Sequence, residues 1–388
     1  MITVVDLYAS DLMHLEINLF FLRLYRDQLC EEIHLFAERR HLEAIAKTVA
    51  IGNLHPFSSV RAVAQWHAPR VLIRELLTIF RVFRAVWHAR RNGSRFLHVL
   101  CASHFAHIIL RIVLRVLPAG CPVILNLHSE LESLTRKENK WWRPGYWFPY
   151  SLRIPVNRLY IVVLGSNIKA EAERRGIHTT GWIAIEHPYT FPERDDARVK
   201  ESKTLVVGAI GAASTTRGTD EFFSLADRFE HEISLGQVRF TIIGKIHPSL
   251  RKHFTRHVDI PDFVGFYDKE QYDQAIDDLD VILFLSPRDS YQLTASGSIF
   301  DAIAHNKPII AYETAYFKWL RRLVTGDAIS LVRDLDDAER TLREWVEHGV
   351  PGSLHNAYRS IKVTHSIATV ANMYLKQLED NLEARSGG

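Results

Sequence analysis

The sequence predicts an α/β protein built from two parallel-sheet domains. Apolar runs that suit buried strands alternate with amphipathic stretches that suit helices, a rhythm typical of parallel sheets with right-handed crossovers. A charged run at 192–203 has no bulky aliphatic residue except Val199 and predicts a domain boundary. At 388 residues, the chain is long enough for two domains that each bury a core.

In the first half, short apolar runs predict seven strands, and 3.6-residue periodicity predicts the helices between them. The run that starts at residue 2 has no basic region ahead of it, so it is expected to be a strand and not a signal peptide. The predicted strands are 2–7, 32–37, 48–52, 96–101, 122–127, 160–164 and 182–185, and the predicted helices are 15–29, 70–90, 103–117 and 166–175.

The second half repeats the pattern and ends in a long stretch, 335–382, that is predicted to be helical. The predicted strands are 204–210, 238–244, 262–266, 281–285, 309–312 and 328–332, and the predicted helices are 219–233, 248–256, 270–278, 296–305 and 315–324.

One turn of the second half has the features of an anion site. The apolar strand 281–285 leads to small residues, Ser296, Gly297 and Ser298, which open a helix. Free backbone N–H groups and the positive end of a helix at the carboxyl edge of a sheet favour an anionic ligand. Asp301, in the first turn of this predicted helix, is placed to accept hydrogen bonds from sugar hydroxyls.

A second turn of the same kind lies upstream, between the strand 204–210 and a helix that starts at Thr219. It runs from Gly211 to Gly218 and carries Arg217. A glycine turn alone is a weak signal, since many turns need glycine only for positive φ. Two such turns in one half favour a diphosphate, and an arginine can hold two phosphate oxygens at once. Lys245, after the strand 238–244, is either a further ligand contact or a solvated lysine.

These residues resemble the nucleotide-sugar domain of GT-B glycosyltransferases, in particular bacterial enzymes of the group 1, family 4-like type that build polysaccharides and lipid-linked glycans. The resemblance covers roughly 204–315. It is carried by Gly211-x5-Arg217-Gly218, Phe240-Thr-Ile-Ile-Gly244, Phe263-Val-Gly265, Asp280-Val-Ile-Leu283 and Asp301-Ala-Ile-Ala-x3-Pro308.

The resemblance implies a GT-B fold, with two Rossmann-like parallel-sheet domains that face each other across a cleft. It implies an acceptor-binding domain at 1–192, a nucleotide-sugar domain at 204–365, and a helix at 366–388 that packs back on the first domain. The family places two glutamates eight positions apart, where this chain has Leu293 and Asp301, and an arginine where it has Ala212. Retention or inversion at the anomeric carbon, and the donor sugar, are left open.

Catalytic candidates follow the strands of the first half. His128 and Glu130 come directly after the strand 122–127, at the carboxyl edge of the predicted sheet. The ordinary pKa of histidine suits a general base for an acceptor hydroxyl, although a lone histidine after a strand is often structural. Asp11 follows the first strand and is either a base or a helix cap. Two side chains that follow the first strand and two at the end of the last strand of this half are expected to line the acceptor side: His14, Glu16, Glu186 and His187.

Two basic, aromatic-rich stretches indicate contact with a membrane surface. The predicted helix 70–90 mixes arginines with large apolar residues, which also suits a buried helix with arginines reaching to solvent. The stretch 136–150 has six aromatic residues beside four cations and no clear periodicity. Tryptophan and cations favour the headgroup zone of an anionic bilayer. The membrane-contact candidates are Trp141, Trp142, Arg143 and Trp147.

Other features narrow the function. A net charge of +3 and the lack of a recognition motif argue against nucleic acid. Three cysteines without paired spacing favour a cytoplasmic protein, here one expected to associate peripherally with the inner membrane. Asp278-Leu-Asp280 precedes a buried strand, and His253 with His257 lacks a third ligand, so no metal is predicted. No cofactor is predicted either, because the nucleotide-sugar is the donor substrate.

Together these features predict a metal-independent glycosyltransferase that moves a sugar from a UDP- or GDP-sugar to a hydroxyl of a glycan, in particular a lipid-linked one. Two alternatives stay open. One is a nucleotide-sugar 2-epimerase of the same fold, which needs no acceptor. The other is a GT-B module that binds glycan or protein without chemistry.

Overall fold

The computed structural model of the chain divides into two compact units. Unit 1 comprises Met1–Pro188, Leu293–Ala295 and Ile367–Gly388, and unit 2 comprises Tyr189–Gln292 and Ser296–Ser366. Asp11, the predicted strand 262–266 and almost all of the predicted boundary lie outside the described residues. The structure describes residues 1–9, 12–57, 68–135, 140–192, 204–260, 267, 269–352, 354 and 356–383.

Unit 1 is a seven-stranded parallel sheet with helices in the crossovers. Its strands are β1 Ile2–Asp6, β2 Ile33–Glu38, β3 Asn53–Phe57, β4 Leu97–Cys101, β5 Val123–Leu127, β6 Leu159–Leu164 and β7 Trp182–Ile185. Its helices before the second unit are α1 Leu15–Arg23, α2 Arg39–Ala46, α3 Ala68–Arg91, α4 His104–Val116, α5 Pro144–Leu152 and α6 Ser166–Arg174.

Unit 2 is a six-stranded parallel sheet of the same kind. Its strands are β8 Leu205–Ile210, β9 Val238–Ile243, β10 Val258–Asp259, β11 Val281–Phe284, β12 Ile309–Tyr312 and β13 Ile329–Val332. Its helices are α7 Thr219–Asp227, α8 Glu230–Ser234, α9 Lys269–Asp277, α10 Gly297–Ala304, α11 Ala315–Arg321, α12 Leu335–His348 and α13 Arg359–Thr364. The last helix of the chain, α14 Ile367–Glu383, belongs to unit 1.

Both sheets reverse their strand order at the first strand. The order is β3-β2-β1-β4-β5-β6-β7 in unit 1 and β10-β9-β8-β11-β12-β13 in unit 2. All strand pairs are parallel. Loops at the carboxyl ends diverge at such a reversal, and the crevice they leave is where Rossmann-like sheets bind ligands. The reversal lies between β1 and β4 in unit 1 and between β8 and β11 in unit 2.

The strands are apolar along their length because both faces of each sheet are covered. All five residues of β5 are buried. On one face of the unit 1 sheet, Val99 packs in the same core as Val86 of α3. On the other face, Leu35 shares a core with Tyr374 of α14. Burial on both sides explains why these strands were readable as continuous apolar runs.

The C-terminal helix is tied into unit 1 by a buried polar network. The hydroxyl of Tyr374 is 2.6 Å from that of Tyr25, which is 2.6 Å from Nδ1 of His98. Nε2 of His98 is 2.8 Å from Oδ1 of Asn126 on β5. A buried network of this kind needs all members in place, so it fixes α14 on the sheet.

Several elements differ from the prediction, among them the predicted helix 219–233, which the structure divides into α7 and α8. β3 is Asn53–Phe57, not 48–52, because it is an edge strand that contains Pro56 and buries only Phe57, so it has no apolar run. The predicted helix 15–29 is α-helical only to Arg23 and continues as a π turn. The predicted helix 248–256 is a short 3₁₀ turn. α5, which was not predicted, starts with a proline at its first helical position and contains a second one.

Candidate functional site

The two predicted turns of unit 2 line a single pocket at the reversal of its sheet. Residues that follow β8 form one wall, and residues that follow β11 and open α10 form the other. The polar and turn residues among the lining are Gly211, Arg217, Gly218, Thr219, Ser286, Tyr291, Ser296 and Ser298.

Gly211 marks the point where the two turns meet. Its φ is +88°, and a Cβ built on it would lie 3.2 Å from Cβ of Ser298 and 3.6 Å from Nη1 of Arg217. A side chain at this position would therefore occupy the space between the two turns. Both turns therefore lie on one side of the sheet.

Two helix N-termini open toward this pocket. α10 begins at Gly297 and α7 begins directly after Gly218, and in neither case does the preceding residue cap the helix with its side chain. A Cβ added at Gly297 would have no atom within 4 Å, so the start of α10 is open. Uncapped N–H groups and aligned peptide dipoles make a helix start attractive to phosphate.

Arg217 lies at the end of a 3₁₀ turn, Thr215–Arg217, that leads into α7. The turn is held by Ser286, whose hydroxyl donates to the Arg217 carbonyl oxygen at 3.2 Å. The guanidinium lies 5.9 Å from the ring centre of Tyr291. Within the described residues, no carboxylate is in ion-pair range of it. Its charge is therefore available to an anionic ligand.

Asp301 is half-buried in the second turn of α10, one turn later than predicted. Its Oδ1 accepts from the Tyr189 hydroxyl at 2.6 Å, and its Oδ2 accepts from the Tyr272 hydroxyl at 3.2 Å. Burial raises the pKa of Asp301, and the Tyr189 hydroxyl opposes that rise. A carboxylate has about four acceptor positions, so a contact with ribose is compatible with these bonds and stays a prediction.

Lys245 braces the first turn through its backbone. Its carbonyl accepts from the Ala213 N–H at 2.9 Å, and its side chain is exposed. Gly244 beside it has φ +135°, and a Cβ there would lie 2.1 Å from the Gly211 carbonyl oxygen. The contact of Lys245 with a nucleotide stays a prediction.

In unit 1, two predicted side chains are stacked. The rings of His14 and His128 lie 4.5 Å apart at an angle of 25°, although the residues are far apart in the sequence. His14 directly precedes α1, with φ 54°, and His128 follows β5. Burial, and then the charges of His128, His187 and His41, lower the pKa of His14 to about 3. His14 is therefore uncharged at neutral pH.

The hydrogen bonds of His128 define its tautomer. Nε2 is 2.9 Å from the carbonyl oxygen of Leu100, which can only accept, so Nε2 carries the proton and donates. The lone pair of the neutral ring is then on Nδ1. Glu130 accepts from the backbone N–H of His128 at 2.7 Å and is buried, so it holds the loop that orients the ring.

The other acceptor-side candidates are dispersed. His187 lies close enough to His14 to lower its pKa. Glu186 is buried, and its Oε1 accepts from the Ser166 hydroxyl at 2.6 Å. Glu16 is exposed in the first turn of α1. Their roles stay predictions.

The four membrane-contact candidates are all exposed. The rings of Trp141 and Trp142 meet edge to face at 6.1 Å, and Nε1 of Trp147 donates to the Trp141 carbonyl oxygen at 2.7 Å. None of the described helices is both long and apolar enough to cross a bilayer.

Sequence reasoning missed the aromatic residues of the unit 2 site. Tyr189 and Tyr272 were not singled out, yet their hydroxyls hold Asp301. Tyr291 lies beside Arg217 and was missed as well. Tyr189 is more than 100 residues from Asp301, so no local spacing could have shown the contact.

No protein-family model matches the chain, and no curated protein is significantly similar in sequence. Solved structures do match its fold. HepE of Anabaena, in complex with UDP-glucose, aligns with a TM-score of 0.68 at 12% identity, over 98% of this chain and 99% of that chain. Sucrose-phosphate synthase of Thermosynechococcus elongatus gives 0.69 at 12%, over 99% and 100%. The lipopolysaccharide outer core galactosyltransferase WaaB gives 0.63 at 11%, over 99% of each chain.

Two parallel sheets of Rossmann-like order and these structural matches define the fold class. The chain has the GT-B fold, which confirms the prediction from sequence. The group 1 glycosyltransferases named in the resemblance share this fold.

Proposed function

We propose that this protein is a glycosyltransferase that moves a sugar from a UDP- or GDP-sugar to a hydroxyl group of a glycan. The observation that carries the proposal is the unit 2 pocket, where Arg217 and two uncapped helix starts converge. The match to HepE, whose structure contains UDP-glucose, supports a nucleotide-sugar as the ligand.

In this proposal, the pocket stabilises the leaving nucleoside diphosphate. Negative charge grows on the diphosphate as its bond to the sugar breaks. Arg217 and the N–H groups at the starts of α7 and α10 are fixed in place before the reaction. Their interaction with the diphosphate is therefore strongest in the transition state, where the negative charge develops. These groups supply positive charge from the protein itself. Asp301 would bind the ribose hydroxyls.

We assign the acceptor hydroxyl to unit 1, with His128 as general base. Its Nδ1 carries the lone pair, because Nε2 donates to Leu100. His14 is the weaker candidate, since its lowered pKa makes its ring a poor proton acceptor at neutral pH. The ring of His14, which is stacked on that of His128, would fix the orientation of His128.

The test is a transfer assay with a panel of UDP- and GDP-sugars, with and without glycan acceptors. We expect one donor to be consumed only when an acceptor is present. His128→Ala should lower kcat strongly and leave donor binding intact, whereas Arg217→Ala should weaken donor binding as well.

The same assay separates the alternatives. Isomerised sugar formed from donor alone would identify a 2-epimerase and reject transfer. Binding of neither donor nor nucleoside diphosphate would identify a module without chemistry.

We further propose that the acceptor is lipid-linked, in a bacterial polysaccharide pathway, and that unit 1 binds the inner leaflet of the membrane. The exposed side of α3 carries a stripe of large apolar side chains at helical spacing: Ile73, Leu76, Phe80, Phe83 and Trp87. The stripe has the period of one helix face, and the opposite face of α3 is in the core.

Neighbouring helices extend the stripe. α3 packs on α4 and α4 packs on α5, so their outer surfaces are adjacent. α4, α5 and the residues just before α5 also carry exposed apolar side chains. They are Ile112, Val116, Trp141, Trp142, Trp147 and Tyr150. We call these residues, together with the α3 stripe, the apolar face. Exposed cations flank it, among them Arg115 and Arg143.

An anionic bilayer fits this surface best, because apolar groups enter the interface while each nearby cation contributes about 1 kcal/mol. The test is sedimentation with vesicles of phosphatidylcholine with or without phosphatidylglycerol. A variant with Phe80→Ser, Trp87→Ser and Trp147→Ser should lose most binding. Leu235→Ser, an exposed apolar residue of unit 2, is the matched control. Equal binding of both variants would reject the membrane assignment.

A further inference from the structure

Three histidines from three elements of unit 1 converge beside the edge of its sheet. His34 lies on β2, His55 on β3 and His88 on α3. One ring nitrogen of each lies within 4.8 Å of the others. Nδ1 of His34 and Nε2 of His55 are 3.3 Å apart. No other group of three His, Cys, Asp or Glu in the described part of the chain is this compact.

The spacing suits a tetrahedral metal ion. Zn–N bonds of about 2.0 Å at tetrahedral angles put two ligand nitrogens about 3.3 Å apart. The 3.3 Å between His34 and His55 matches this value, and the ring nitrogen of His88 lies within 4.8 Å of both. All three rings are only partly buried, which leaves room for water as a fourth ligand.

Groups around the cluster hold two rings from behind, as outer groups do in metal sites. Oγ1 of Thr3 is 3.2 Å from Nδ1 of His88, and the same hydroxyl is 2.7 Å from Oγ of Ser94. Oε1 of Glu32 lies 3.3 Å from Nε2 of His34. These contacts leave Nδ1 of His34 and Nε2 of His88 for an ion.

The charges near the cluster act in opposite directions on a cation. The guanidinium of Arg84 opposes one, whereas the carboxylate of Glu32, 3.3 Å from Nε2 of His34, favours one.

We propose that His34, His55 and His88 form a site for a divalent transition-metal ion, Zn²⁺ in particular, that fastens β3 to β2 and α3. Imidazole ligands select zinc, copper and nickel over magnesium or calcium. β3 is an edge strand, and Pro56 has no N–H to donate, so a tie through His55 would secure it.

The site is separate from the proposed transfer chemistry. His34 is the second residue of β2, at its amino end, whereas His14 and His128 follow the carboxyl ends of strands. The ion would therefore be structural. No local pattern in the sequence indicated this site, because its ligands are 21 and 33 residues apart.

The experiment is a calorimetric titration of ZnCl₂ into untagged protein that has been treated with a chelator. We expect one tight site per chain in the wild type. His55→Gln and His88→Gln should each bind at least about 100-fold more weakly. His178→Gln, which changes an exposed histidine of the same unit, should bind like the wild type.

Melting curves with and without Zn²⁺ distinguish the loss of the metal site from a folding defect. Zn²⁺ should raise the Tm of the wild type and of His178→Gln by several degrees and leave His55→Gln unchanged. Absence of a stoichiometric site in the wild type, or equal affinity in wild type and His55→Gln, would overturn the proposal.

Discussion

Gly218 shows how closely the first turn of the unit 2 pocket is packed. Its φ is +71°, and a Cβ there would lie 1.7 Å from the carbonyl oxygen of Leu285. Gly236 has a similar φ of +69° but no atom within 4 Å of a built Cβ. The two glycines share a left-handed backbone conformation and differ in the space available to a side chain, so they form a matched pair.

Gly218→Ala should lower the free energy of unfolding by about 3 kcal/mol or more, because left-handed backbone strain is joined by a clash with main chain that cannot move aside. Gly236→Ala should cost only about 1–2 kcal/mol, the strain alone. Urea unfolding of both variants measures the difference. Equal losses would mean that the turn can open.

Within α3, the size of an apolar side chain does not determine whether it is buried. Val82 is 1% exposed and Phe80 is 73% exposed, although they are two residues apart. Val82 packs on the sheet, and Phe80 belongs to the apolar face. The sequence favoured a buried helix here, but it could not show which apolar residues face outward, because both faces of α3 are apolar.

Val82→Ala should destabilise unit 1 by about 1–2 kcal/mol, because it leaves a cavity in a packed core. Phe80→Ala removes a larger group but should change stability by less than about 0.5 kcal/mol. Thermal unfolding of the two variants tests this order. A larger loss for Phe80→Ala would show that the exposed stripe is covered within the protein.

Elements buried on both faces were predictable, and those at an edge or a proline were not. β6 and β7 were predicted to within one residue, since each is a continuous apolar run. β3 was misplaced because half-exposed residues and Pro56 give no such run. α5 was missed because Pro144 and Pro149 obscure its period.

The residues of the candidate site also differ in whether they could be predicted from the sequence. Turns that follow a strand directly, such as 211–218 and 296–298, could be read locally. Contacts between distant segments could not, which is why the tyrosines on Asp301 and the three-histidine cluster required the fold.

At the scale of the whole molecule, stability should fall in acid because several buried histidines are held neutral. The pKa of His14 is lowered to about 3, chiefly by burial, and that of His98 to about 3 for the same first reason. In the unfolded chain both bind protons below about pH 6.5. The unfolded state therefore binds more protons between pH 6.5 and 3, so this contribution is complete above pH 6.5 and is lost as pH falls.

The free energy of unfolding of unit 1 should thus drop by about 2 kcal/mol or more between pH 7.5 and pH 5, since each group contributes up to about 1.4 kcal/mol per pH unit. Urea titrations at the two pH values, monitored by tryptophan fluorescence, measure this. Identical midpoints would show that these rings are protonated in the folded protein.

The most direct test of the central claim is a calorimetric titration of UDP and GDP into wild type and Arg217→Ala. If the two turns of unit 2 form one diphosphate pocket, one of these nucleotides should bind with 1:1 stoichiometry. Arg217→Ala should then weaken it by at least about tenfold through loss of a charge-assisted contact. Arg256→Ala, which removes an exposed arginine paired with Glu230 in the same unit, should bind like the wild type. Binding of neither nucleotide to the wild type, or undiminished affinity in Arg217→Ala, would contradict the account.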